Sequence, residues 1–216
     1  MGGRGASSGG QGWTGGGSSL TSADIISTTS LISEREGKQQ EVDEVLQTFK
    51  DINDEYGYII NDIEVATLGA NGSETMGYYD GKNIAINDLY FNKGVMEYVY
   101  ADCVKAGHHP PMGNKTALQA VASHELGHAL TDATITKMGG KYGRQSGAIA
   151  ILQEAQRRLG NKGDLADMAG KISGYAKTKP REAIAEAFAD VYCNGKKATK
   201  ESQAIVNVMN KYLKNQ

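Results

Sequence analysis

The 216-residue chain is predicted to be an α+β domain, a small antiparallel-containing sheet with a predominantly helical remainder. Strand-like runs gather between residues 58 and 87, around the turn dipeptide Asp80-Gly81. From residue 93 onward, apolar residues recur at helical rather than strand spacing. A hydrophobic content of 39% at this length supports one core, so residues 23–216 are expected to form a single domain.

Residues 1–22 are rich in Gly and Ser, carry one Trp at position 13, and read as a disordered tail or linker. A helix is predicted over about residues 37–56, because Val42, Val45, Leu46, Phe49 and Ile52 form one apolar stripe. Tyr58–Val65 reads as a strand, and Met76–Asp80 and Asn83–Asn87 pair as a hairpin across Asp80-Gly81. These three strands are expected to form the sheet, with Asn83–Asn87 at its edge. Val95–Lys105, Gly147–Leu159, Asp164–Ile172, Pro180–Tyr192 and Thr199–Lys214 are predicted helices. One more lies around residues 118–130. Its expected N-cap is Asn114, after the helix-hostile Pro110-Pro111-Met112-Gly113. Leu118, Val121, Ala122, Leu126, Ala129 and Leu130 make it amphipathic and half-buried.

A net charge of −2 and a pI near 6.1 give no reason to expect nucleic acid or an anionic membrane as partner. No apolar run is long enough to span a bilayer. The first residues lack the apolar core of a signal peptide, and Ala6 breaks the myristoylation pattern. A cytoplasmic or virion-associated location is therefore expected. Cys103 and Cys193 show no metal or redox spacing and read as reduced core residues. Cys103 with His108 and His109 matches no zinc pattern, so His108–Met112 reads as a loop.

The chemistry is concentrated in His124-Glu125-Leu126-Gly127-His128, the HExxH pattern of zinc metallopeptidases. Residues four apart overlay on one face of a helix, so His124 and His128 can aim imidazole nitrogens at one metal ion. Glu125 sits one step round, placed to act on a water as general base rather than as a ligand. Zinc with three protein ligands keeps a position open and lowers the pKa of its water to about 7.

The third ligand is not the downstream His of metzincins, because positions 131 and 134 are both Thr. The helix from Pro180 carries Glu182, Glu186 and Asp190 on one stripe, and such acids repel one another unless a cation is near. Its Ala183, Ala185, Ala187 and Ala189 permit close approach of another helix. By spacing alone, either Glu182 or Glu186 can be the ligand. In either case the acid one turn later could hold a histidine's other ring nitrogen. Tyr175, in a Gly-containing polar loop before this helix, could donate a hydrogen bond to an oxyanion.

Gly174–Phe188 resembles the corresponding stretch of the lethal-factor and Pro-Pro endopeptidase group of gluzincins. The likeness rests on Tyr175 seven residues before Glu182, on the run Ala185-Glu186-Ala187-Phe188, and on the HExxH helix, within about residues 85–195. Asp190-Val191 departs from that stretch. The resemblance implies a zincin-like fold, zinc held by His124, His128 and Glu182, Glu186 behind a ligand histidine, and Tyr175 facing the substrate. It implies a zinc endopeptidase acting on an extended peptide that adds a strand to the sheet edge. The alternative is a phage-associated structural or assembly protein with a zincin-like domain, autoprocessing or inactive, which the short Gly-rich opening resembles in composition.

Overall fold

The computed structural model describes residues 25–31, 36–57, 60, 62–68, 75–139 and 142–214, and the side chains of all but 25–31. The expected tail, residues 1–22, lies outside the described residues. The chain forms β1 (Ile25–Leu31), α1 (Gln39–Tyr56), β2 (Ile63–Leu68), β3 (Gly77–Tyr79) and β4 (Ile84–Asn87). There follow α2 (Lys93–Lys105), α3 (Ala117–Lys137), α4 (Arg144–Arg158), α5 (Leu165–Gly170), α6 (Pro180–Asn194) and α7 (Lys200–Leu213). The architecture is α+β and mostly helical, with a small mixed sheet.

The sheet order is β1-β2-β4-β3. β1 runs antiparallel to β2, β2 parallel to β4 with Ile63 opposite Ile84, and β3 antiparallel to β4 with Gly77 opposite Ile86. The hairpin at Asp80-Gly81 forms as expected, Asp80 Oδ1 accepting from the backbone N–H of Lys82 and of Asn83 at 2.7 Å each. Two expectations are corrected. Asn83–Asn87 is not the edge: β4 is flanked on both sides, and its four residues are all buried, as an inner strand requires. Among the described residues β3 ends the sheet instead. The strand expected at Tyr58–Val65 lies later, at Ile63–Leu68, and residues 58, 59 and 61 are outside the described residues.

The helix that carries the histidines starts later than expected. Thr116, not Asn114, caps it through a capping box: Gln119 N donates to Thr116 Oγ1 at 3.3 Å, and Thr116 N donates to Gln119 Oε1 at 3.1 Å. Nor is α3 half-buried. Every residue from Ala120 to Thr131 is buried, because β3 covers one side while α1, α2, α6 and α7 cover the others. α6 is equally enclosed from Pro180 to Asp190, with Pro180 at its first turn, where the missing N–H costs nothing.

These two helices pack tightly because both are lined with small residues. A Cβ placed on Gly127 would sit 3.0 Å from Ala185 Cα and 3.1 Å from Phe188 Cβ. Backbone cannot give way as a flexible side chain can, so bulk here must push the helices apart. Gly127→Val is expected to lower stability by about 1–3 kcal/mol, the usual cost of overpacking. Urea unfolding measures it, and a variant as stable as the parent would show that this contact is looser than described.

Candidate metal centre

The one-turn spacing of His124 and His128 on α3 and the first turn of α6 bring three donor atoms together. His124 Nε2 and His128 Nε2 are 3.1 Å apart, and each lies 3.3 Å from Glu182 Oε2. All three residues are buried, and they form a group that could bind a metal ion. The triangle tests the fit directly. A tetrahedral ion with bonds of about 2.0–2.1 Å to N and O separates its ligand atoms by roughly 3.3 Å. The donor set, two imidazoles and one carboxylate, therefore matches such an ion in type and in size.

The protonation of His128 agrees with that role, whereas His124 must give up a proton to an incoming cation. Burial pushes His128 down to about 4, against the pull of Glu182, so its ring is neutral near pH 7, as a metal ligand must be. Burial also opposes charge on His124, but Glu182 and Glu186 outweigh it and raise its pKa well above the usual histidine range. Glu182 stays ionised despite its burial, because the two histidines hold its carboxyl well below the normal carboxylate range.

The other acids of the α6 stripe have separate tasks. Glu186 Oε1 lies 2.8 Å from His124 Nδ1, the ring nitrogen opposite the donor triangle, and 2.9 Å from His109 Nδ1. Ser173 Oγ donates to Glu186 Oε2 at 2.7 Å. Glu186 thus orients His124 from behind, in the arrangement that commonly fixes ligand histidines. Asp190 points away: its Oδ2 accepts from Thr199 N at the start of α7, and its Oδ1 from Asn194 Nδ2, both at 2.9 Å.

His109 and Ser173 were not singled out from sequence. His109 is buried, with its ring stacked on Tyr100 at 5.2 Å between centroids and 8° between planes. The pair His108-His109 next to Pro-Pro was the available signal; Ser173 offered none. Cys103 and Cys193 are both buried and free, as expected, and Cys103 takes no part in the donor triangle.

Glu125 differs from every other acid here. It is 0% exposed, and neither carboxyl oxygen has a hydrogen-bond partner among the described residues. β3 presses on it: a Cβ on Gly77 would stand 2.9 Å from its Oε1, so only glycine leaves room for the carboxylate. Burial pushes its carboxyl up to about 8, with His124 opposing and Glu182 and Glu186 adding to the rise.

Tyr175 is half-buried, its ring centroid 5.2 Å from that of His108, 5.5 Å from that of His109 and 6.0 Å from that of His124. Burial and then the charges of Glu182, Glu125 and Glu186 raise its phenol well above the normal range, which keeps it an O–H donor. The loop is pinned, since Tyr175 N donates to His108 O at 3.0 Å and Gly174 N to Gly107 O at 2.8 Å. Tyr175 and His108 are the half-buried members of an otherwise enclosed group.

No protein-family model, curated protein or solved structure matches the chain. No helix among the described residues is long and apolar enough to cross a membrane. What the residues themselves define is a buried two-histidine, one-glutamate group able to bind a metal ion, with a second glutamate and a phenol beside it.

Two outcomes follow for the metal-free and metal-loaded protein. The carboxyl of Glu125 has its ordinary value of 4.5 in the unfolded chain, and burial pushes it up to about 8 in the folded one. Between those values only the unfolded chain releases the proton, so this group's contribution to metal-free stability falls as pH rises from 4.5 to 8 and then levels. Glu125→Gln removes that loss. Melting of the metal-free protein at pH 5 and pH 8.5 should show the variant gaining on the parent at the higher pH, and a pH-independent difference would refute the assignment. His109→Ala, which strips one partner from Glu186, should weaken metal affinity by about 10–100-fold, measured by competition with a chelator. An unchanged affinity would mean that Glu186 is held without it.

Proposed function

We propose that this chain is a zinc endopeptidase with a zincin-like fold, of the gluzincin kind that its HExxH motif, Tyr175 and Glu182 resemble. The observation that carries the reading is Glu125: a buried acid with no hydrogen-bond partner among the described residues, adjacent in sequence to His124 of the donor triangle. A purely structural metal site has no use for such a group, whereas hydrolysis requires a base there. Zinc is the metal favoured by two imidazoles and a carboxylate. Held by His124, His128 and Glu182, it supplies Lewis acidity that polarises a peptide carbonyl and lowers the pKa of a water to about 7.

The chain's own residues carry the remaining work. Glu125 accepts the proton that the attacking water loses as the new C–O bond forms. It then delivers that proton to the amide nitrogen as the C–N bond breaks, so that the amine leaves neutral. Tyr175 donates its O–H to the carbonyl oxygen as negative charge develops there. Glu186, steadied by His109 and Ser173, keeps the His124 ring in one orientation. The substrate is an extended peptide. β3 places Gly77 against Glu125, so a peptide main chain lying alongside β3 would meet the base.

Cleavage of a peptide library by the parent and two variants tests this. Glu125→Gln should retain zinc and lose about 10²–10⁴-fold in rate. Tyr175→Phe should lose about 10²–10³-fold in kcat with KM little changed, as for removal of one oxyanion donor. Zinc bound at full stoichiometry with no cleavage of any peptide would instead favour the structural or assembly role.

A further inference from the structure

Beyond the donor triangle, the sheet-facing side of α3 continues into a second feature. Val121, Glu125, Asp132 and Thr136 fall within about 60° of one another round the helix, by the rotation of 100° per residue. The first two meet Gly77 of β3. The last two line a cleft of about 400 Å³ together with Gly81, Ile135, Tyr142 and Arg144. The cleft therefore lies at the hairpin end of the same strand, on the same side of the same helix.

Its lining carries one carboxylate, Asp132, and one guanidinium, Arg144, and Asp132 is shared with a second guanidinium from the core. Arg181 is buried and donates to Asp132 Oδ1, which satisfies the acid from the core side. The Arg144 side chain is 64% exposed and reaches Asp132 Oδ2 only at 3.3 Å. Its fork forms no hydrogen bond to any described residue. Asp80, the nearest further acid in the hairpin, spends its carboxylate on Lys82 N and Asn83 N of its own turn. Gly81 allows Arg144 to lie against the hairpin, since a Cβ there would be 2.9 Å from Arg144 Nη2.

We infer that this cleft is a specificity subsite for an acidic side chain of the substrate, held by Arg144. The inference rests on the endopeptidase reading above. An exposed arginine whose one ion pair, to Asp132 at 3.3 Å, is shared with Arg181 is suited to a further carboxylate, which it can bind through paired N–H donors. Seven residues of helix separate Glu125 from Asp132, about 10.5 Å along the axis. An extended peptide covers that in roughly three residues at about 3.3 Å each. The acidic residue is thus expected at one position about three residues from the scissile bond.

The test uses the zinc-loaded full chain and a library of C-terminally amidated peptides, so that only side-chain carboxylates can answer. The parent should cleave peptides with Asp or Glu at one fixed position roughly tenfold better than those with Asn or Gln there, the size of one charge-assisted hydrogen bond. Arg144→Glu should abolish that preference and favour Lys or Arg at the same position, while Arg144→Lys keeps a weaker preference for acids. Zinc content and thermal melting show that each variant is folded. Cleavage that depends on Glu125 but shows no acidic preference, or a preference that Arg144→Glu leaves intact, overturns the subsite alone. No Glu125-dependent cleavage of any peptide overturns the endopeptidase reading and the subsite with it.

Discussion

The contact of Gly127 on α3 with Ala185 on α6 sets the distance on which the metal group depends. Helices approach this closely only where one contributes no side chain and the other a methyl group. Gly127 lies one residue before His128, and Ala185 lies between Glu182 and Glu186. The same close approach therefore fixes how far the imidazoles of one helix stand from the carboxylates of the other. With the helices at this separation, both Nε2 atoms meet Glu182 Oε2 at 3.3 Å, and Glu186 reaches the back of His124. A bulkier interface would leave the same residues in the same order but out of reach.

That closeness also sets the electrostatic terms. Three glutamates and three histidines of this cluster are removed from water, where an uncompensated charge costs several kcal/mol. Most of the charge is answered internally. Glu186 is held ionised by His109 and His124, with Ser173 donating to its other oxygen. Glu182 is held ionised by His128 and His124. Glu125 is the exception, a carboxyl with no countercharge hydrogen-bonded to it, which burial, with Glu182 and Glu186 adding, pushes up to about 8 in the metal-free protein. Within this cluster the other two glutamates are paired with histidines and Glu125 is not, and such a position is where functional demands commonly override stability.

Much of this was legible in the sequence because it depends on short spacings. His124, Glu125 and His128 share one helix, and their geometry needs no tertiary information. The acids at 182, 186 and 190 were likewise visible as a stripe. Their division of labour was not, because it depends on which turn of α6 stands opposite which turn of α3. His109 and Ser173 were missed for the same reason, since neither is near Glu186 in the chain. The sheet shows a similar limit. Asp80-Gly81 marked the hairpin, yet β4 was read as an edge because period and turn chemistry reveal nothing about a parallel partner from residues 63–68. β1, Ile25–Leu31, went unproposed: its run is short, lies beside the Gly/Ser-rich tail, and shows no clear alternation of apolar and polar residues. The burial of α3 on all sides was hidden too, because Ala, Gly, Ser and Thr on its outer faces look polar or neutral but pack closely.

His124, His128 and Glu182 are placed so that together they could hold one metal ion. X-ray absorption at the zinc edge of the metal-loaded protein tests this most directly. Two imidazole nitrogens and oxygen ligands at about 2.0–2.2 Å are expected, with no sulfur scatterer. A sulfur shell at about 2.3 Å would place the ion on Cys103 or Cys193 instead, and failure to retain any zinc would leave the triangle without its proposed role.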